Sequence, residues 1–211
     1  MPTTRYLNKR GDRIPSVTQI LDHVWAKPGL VAWANREGLN GRSHTVARDA
    51  AARAGTLAHE IILSKIGGPE PEVDKYARGT VSEARVSAHH ARDWMERHKW
   101  EPIMVEESLV HEKLGYGGTP DWYGRLDGVL TVLDIKTGGK WPEHAIQLAG
   151  YAELLTAQKP AHAVDAVVAL YCPRKLSGKA QDIRWEGEKI DLIAKAWKNC
   201  LTMYELRMII G

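Results

Sequence analysis

The segment Leu126-Asp127-Gly128-Val129 constrains this chain more than any other. An Asp-Gly pair between two runs of strand-forming residues is a strong short-range hairpin signal. It predicts strands over 119–125 and 129–136 joined by a tight turn. A two-residue loop pairs Leu126 with Val129, and counting back sets Asp121 opposite Asp134. Side chains alternate along a strand, so Asp134 and Lys136 share a face with Leu130 and Val132, while Thr131, Leu133 and Ile135 take the other. Opposed residues have Cβ atoms roughly 4.5–5.5 Å apart, and like charges there are destabilising. A divalent cation between two such carboxylates converts repulsion into ligation, and hard oxygen ligands favour Mg²⁺ or Mn²⁺. A plainer reading stands beside this one. Asp121 caps a turn after Pro120, and Asp134 with Lys136 forms an ordinary ion pair at a sheet edge.

Before the hairpin the chain reads as helical. Ser16-Val17-Thr18-Gln19 fits a capping box, predicting a helix over 17–25 that Pro28-Gly29 breaks. A short helix follows through Trp33 and Arg36. The alanine-rich stretch 45–66 is a third, and 73–99 carries apolar residues at helical spacing. At Pro102 the texture changes, and Ile103, Val105, Leu109 and Val110 suggest a strand. After the hairpin come a helix over 143–157 stopped by Pro160, a buried strand over 163–171, a strand over 180–186 and a helix over 189–208. The order predicts an α/β fold, a mixed sheet flanked by helices behind a helical N-terminal region. With 211 residues a single domain is the default, its helical part spanning 1–100 and its α/β core 101–211.

Composition narrows the function classes. Two cysteines, Cys172 and Cys200, are too few for a disulfide scaffold, a four-cysteine zinc site or an iron–sulfur cluster. They fit a reducing cytoplasm. No apolar run is long enough to span a membrane, and the polar start of the chain does not resemble a signal peptide. A net charge of +3 neither announces nor excludes a nucleic-acid partner.

Gly118-Thr119-Pro120-Asp121, then Asp134-Ile135-Lys136, then Gln147-x-x-x-Tyr151 resembles the PD-(D/E)XK nuclease superfamily, nearest its RecB-like and phage exonuclease branch. Gly55-Thr56-Leu57-Ala58-His59-Glu60 resembles the upstream histidine motif of that branch, and Ile14-Pro15-Ser16-Val17-Thr18 its N-terminal signature. The likeness runs from about residue 14 to 155. It implies a restriction-endonuclease-like core and a metal-dependent deoxyribonuclease. By the same likeness the enzyme acts as an exonuclease from ends of single- or double-stranded DNA, in phage or bacterial recombination and repair, beside an annealing protein or helicase.

The resemblance also implies roles. Asp121, Asp134 and the Ile135 carbonyl ligate Mg²⁺ or Mn²⁺, with His59 as an imidazole ligand. Lys136 sits beside the attacking water and the scissile phosphate. Glu106 positions water or a second metal, with Glu107 as the alternative if the register slips. Gln147 and Tyr151, four apart on one helical face, support the strand and reach the DNA backbone. Ser16, Thr18, Arg174 and Lys175 are candidate DNA contacts. Each has a structural alternative. His59 shares a helical face with Gly55 and fits a packed core, Glu60 faces solvent, and the basic residues singly fit a solvated surface. The tryptophans fit core anchors, although Trp122 or Trp141 at a strand end suits stacking on bases. An endonuclease on the same fold and a non-catalytic DNA-end-binding module remain the alternatives.

Overall fold

The computed structural model describes residues 5–159 and 163–211. A two-stranded ribbon, β1 (Tyr6–Leu7) with β2 (Arg13–Ile14), precedes α1 (Val17–Val24), α2 (Pro28–Leu39) and α3 (His44–Ser64). A 3₁₀ turn at Val73–Lys75 leads into α4 (Arg78–Met95). Next come β3 (Trp100–Val105), β4 (Leu109–His111), β5 (Tyr116–Gly118), β6 (Trp122–Leu126) and β7 (Val129–Lys136). The chain closes with α5 (Glu143–Gln158), β8 (Ala166–Tyr171), β9 (Gln181–Glu186) and α6 (Glu188–Ile210).

Five strands form the main sheet in the order β3-β6-β7-β8-β9. Only β7 and β8 run parallel. A parallel neighbour needs a long crossover, and α5 supplies it. The expected mixed sheet flanked by helices is what the chain forms, with an apolar layer on each face. Val132, Tyr123, Val167 and Ala169 pack against α1, α5 and α6 through Ile20, Leu148, Leu154 and Trp197. Leu133, Ile135, Trp122 and Val168 pack against α3 and α4 through Ile62, Leu63, Ala91 and Trp94. Fully burying each aliphatic side chain contributes about 1.5–3 kcal/mol, so a one-residue slip of β7 would invert both layers.

Local chemistry sets the two ends that matter. Ser16 caps α1 reciprocally: Gln19 N–H donates to Ser16 Oγ at 3.0 Å and Ser16 N–H to Gln19 Oε1 at 2.9 Å. The β6–β7 turn is the two-residue loop its sequence predicts, with Asp127 at φ 52° and Gly128 at φ 84°. Leu126 pairs with Val129 as expected. Asp127 is further held by the Lys99 N–H, 2.8 Å from its Oδ1.

Several boundaries differ from the sequence reading. The strand expected around 103–110 is two strands in different sheets. β3 ends at Val105 because Glu106 turns to φ 50° while its N–H donates to the Asp121 carbonyl; β4 then pairs with β5. The strand expected to start at 119 starts at Trp122, leaving Asp121 just outside it. The helix expected over 73–99 is interrupted by extended backbone at Tyr76 and Ala77, where the Tyr76 hydroxyl donates to Glu60 at 3.3 Å. Glu60 is therefore half-buried and engaged, not solvent-facing. Trp122 is fully buried against Trp100, which removes it as a base-stacking platform. Pro160, and residues 1–4 at the polar start of the chain, lie outside the described residues.

Gly124 marks where β3 and β6 approach closest. A Cβ there would sit 2.2 Å from the Glu101 carbonyl oxygen, and backbone cannot yield cheaply. Gly124→Ala is expected to cost on the order of 1–3 kcal/mol in chemical denaturation. Gly79→Ala, with nothing within 4 Å of the added methyl, is expected to be neutral or stabilising by up to about 1 kcal/mol.

Candidate active site

The C-terminal end of β7 draws side chains from both helical layers. Trp122 pairs with Leu133, so Asp121, one residue earlier, lies level with Asp134 as the hairpin register predicts. Asp121 Oδ2 accepts the Ile135 N–H at 2.6 Å. His59, on α3, places Nδ1 3.4 Å from the same oxygen. Lys136 Nζ lies 2.5 Å from Asp134 Oδ2 and donates to Gln147 Oε1 at 2.9 Å. Gln147 Nε2 in turn donates to the Tyr151 hydroxyl at 2.8 Å. Helical spacing puts Gln147 and Tyr151 one turn apart on α5, facing the strand. Gly118 leaves room for that tyrosine, since a Cβ there would meet its ring at 2.7 Å.

Two carboxylates are thus buried together, Asp121 at 6% and Asp134 at 3% exposure, and the surroundings treat them differently. For Asp121, burial pushes the carboxyl up, but the His59 and Lys136 charges and the Ile135 N–H outweigh it and hold it below the usual range. Asp134 is raised to about 6 by burial, with the Asp121 charge adding to the rise against the pull of Lys136. Burial lowers the His59 imidazole, yet the Asp121 carboxylate beside it leaves it raised on balance. Neighbouring titratable groups pushed apart in this way are a mark of functional sites.

The donor chemistry suits a hard divalent cation. His59 Nδ1 and Asp134 Oδ2 are buried with ion contacts alone, to Asp121 and Lys136 respectively, and no partner in hydrogen-bond geometry. Buried polar atoms in native proteins rarely stay unsatisfied. Among the described residues, no three His, Cys, Asp or Glu side chains already converge as a finished metal cage. In this arrangement Asp121 is turned onto the Ile135 N–H and Asp134 onto Lys136.

A cleft of about 330 Å³ opens beside these groups, between α3 and the loop after β7. Small residues of α3, Ala51, Ala52 and Gly55, form one wall and Thr137, Gly138 and Gly139 the other. Gly55 allows the close approach, since a Cβ there would stand 3.0 Å from Thr137 Oγ1.

The remaining sequence candidates are placed as follows. Glu106 is outward-facing, on the left-handed turn after β3; partial desolvation and the Asp121 charge raise its carboxyl. Glu107 points away to an ion pair with Lys159 at 3.0 Å. Ser16 is committed to the helix cap, and its hydroxyl also meets that of exposed Thr18 at 2.9 Å. Arg174 pairs with Glu83 at the edge of α4, 3.7 Å apart, and the Lys175 carbonyl lies 3.0 Å from His90 Nε2. His144 was not singled out from sequence. It shares the cleft wall with Lys136, its Nδ1 lies 3.0 Å from the Tyr171 hydroxyl, and burial with the Lys136 and Lys27 charges lowers it to about 3. Its position one helical turn before Gln147 was the available signal.

No protein-family model matches the chain, and no curated protein matches it. Among solved structures, the chain is similar to a candidate exonuclease from Eubacterium rectale at 14% identity and TM-score 0.44, covering 63% of this chain and 53% of that one. The chain therefore spans about half the length of that protein. It is also similar to LHK-Exo, solved in complex with dAMP, at 14% identity and TM-score 0.35, covering 76% of this chain and 89% of that one.

Proposed function

We propose that the chain is a metal-dependent deoxyribonuclease of PD-(D/E)XK type, working as an exonuclease from DNA ends. The observation that carries this reading is the pair of buried carboxylates, Asp121 and Asp134, set level across the hairpin, with Lys136 both paired to Asp134 and lining the cleft. An ion pair made only for stability would not need a second buried carboxylate beside it, because like charges in that position cost stability.

Asp121, Asp134 and His59 would hold Mg²⁺ or Mn²⁺, with the Ile135 carbonyl as a further oxygen. When bound, such a cation supplies Lewis-acid polarisation of the phosphate and lowers the pKa of a bound water. Lys136 faces the developing negative charge on the phosphoryl oxygens and orients the attacking water. Gln147 and Tyr151 keep Lys136 in place, a positioning role. Glu106, with its raised carboxyl, takes the proton of that water. Water adds to phosphorus, the bond to the 3′ oxygen breaks, that oxygen takes a proton from solvent water, and the products carry a 5′-phosphate and a 3′-hydroxyl. Arg174 and Lys175 would contact phosphates, which dominate non-specific affinity. A role in phage or bacterial recombination and repair, in the cytoplasm and beside an annealing protein or helicase, completes this reading. Among the described residues, no helix is long and apolar enough to cross a membrane.

The reading is tested on end-labelled linear duplex, linear single strand and covalently closed circle with Mg²⁺, Mn²⁺ or EDTA. Linear DNA is expected to disappear only with metal, while circles stay intact. Asp121→Ala and Lys136→Ala are each expected to lose roughly 10²-fold or more in rate. Nicked circles would make the enzyme an endonuclease; DNA binding without cleavage under any metal would leave a binding module.

A second expectation follows from Asp134. Its folded carboxyl is raised to about 6 from 3.8. The folded state then binds more protons than the unfolded state between those values, and stability falls as pH rises through them. Asp134→Asn is expected to stabilise the metal-free protein at pH 8, by on the order of 1–3 kcal/mol, and to change little at pH 4. Metal must displace that same proton. The rise in Tm on adding Mg²⁺ is therefore expected to be present at pH 8 and lost below about pH 6. An Mg²⁺-induced shift that is equal at both pH values, or survives Asp121→Ala, would count against the assigned ligands.

A further inference from the structure

A second cavity, of about 520 Å³, lies between the α1–α2 turn and the start of α5. It adjoins the catalytic cleft directly, because Trp141 and His144 line both. Its size falls within the range of small-molecule sites, roughly 300–1,000 Å³. Two indoles border it, half-buried Trp25 and Trp141, which is 45% exposed. An indole this exposed is not a core anchor, and neighbouring glycines leave room for it. A Cβ on Gly29 would sit 2.5 Å from Trp141 Cζ3, and one on Gly139 3.2 Å from its Cε2, Cζ2 and Nε1. Glycines in α2 and in the loop after β7 therefore let the ring occupy this position.

Charge separates the two spaces. The cleft is lined by the Lys136 ammonium and by Gly138 and Gly139, which expose backbone, and this suits a phosphodiester strand. In the second cavity Lys27 is already paired with Asp22, leaving Glu143. His144, lowered to about 3, is neutral there at physiological pH. A phosphate is disfavoured inside; a flat, neutral, aromatic group is not.

Resting on the nuclease reading above, we propose that this cavity receives one unpaired nucleobase next to the scissile phosphate, stacked on Trp141, so that the preferred substrate is a single-stranded or frayed DNA end. A strand whose phosphate lies at Lys136 can reach it, because the two spaces share a wall. Base–aromatic stacking is worth about 1–3 kcal/mol per base, or roughly 5- to 150-fold in affinity.

The test measures binding in EDTA at low salt, so that it does not depend on cleavage. Single-stranded oligonucleotides carry at either end a 2-aminopurine or an abasic residue. The wild-type protein is expected to quench the 2-aminopurine of one end and to bind that oligonucleotide 5- to 150-fold more tightly than its abasic counterpart. Trp141→Ala is expected to remove the difference and Trp141→Tyr to keep most of it, and a blunt duplex with the same end is expected to bind more weakly. Equal wild-type affinity for the base-bearing and abasic oligonucleotides would overturn the proposal. So would a Trp141→Ala loss of the same size on both, which would mark a general contact. Base-dependent binding without metal-dependent cleavage would keep the pocket and sink the nuclease; cleavage without base dependence would do the reverse.

Discussion

Two carboxylates sharing one buried place is the constraint around which the rest of this molecule is arranged. Charge is costly to bury, and Asp121 and Asp134 raise each other's cost. The fold compensates with groups from three elements, β7, α3 and α5. The Ile135 N–H and the Lys136 ammonium come from β7, the imidazole of His59 from α3, and Gln147 with Tyr151 from α5 as the anchor of that lysine. Two of these are ion contacts outside hydrogen-bond geometry, His59 Nδ1 to Asp121 Oδ2 and Lys136 Nζ to Asp134 Oδ2. Buried carboxylates held by an imidazole and an ammonium beside a cleft, with their titrations displaced in opposite directions, are a mark of functional sites.

The sheet topology explains why those groups can meet. β7 joins the hairpin to the parallel pair, with β6 as its antiparallel neighbour on one side and β8 as its parallel neighbour on the other. The hairpin brings the start of β6 level with its end, and the parallel crossover places α5 over one face of it. The opposite face is covered by α3 and α4. Both helical layers therefore border the end of β7, and only there can a residue of α3 and residues of α5 reach the same carboxylates. The glycines at 55, 118 and 139 serve this junction by letting the loop after β7, the Tyr151 ring and the Trp141 ring come close.

The hairpin register was more legible than the element boundaries. Asp127-Gly128 carried the register through local backbone preference alone, and with it the pairing of Asp121 with Asp134. Alternation placed Val132 and Leu133 on opposite faces, as observed. What failed were boundaries governed by distant contacts. Glu106 leaves the β region while bonded to the Asp121 carbonyl, and the helix expected from 73 is broken where Tyr76 reaches Glu60. Trp122 looked equivalent to Trp141 as a strand-end aromatic, yet one is fully buried and the other 45% exposed. That difference depends on Trp100 packing against the first and on Gly29 approaching the second, neither of which is local in sequence.

The sequence by itself determined the hairpin, its register, the two-faced apolar pattern of β7 and the chemical types gathered at its end. These follow from turn conformation and side-chain alternation, which act over a few residues. Tertiary structure decided which of two adjacent glutamates lies near the site, the opposite displacement of the Asp121 and Asp134 carboxyls, and the neutral state of His144. It also decided that an indole borders a second cavity beside the cleft. Each of these depends on burial and on charges brought from other elements, and electrostatic energy is set by distance and dielectric in space, not by separation along the chain.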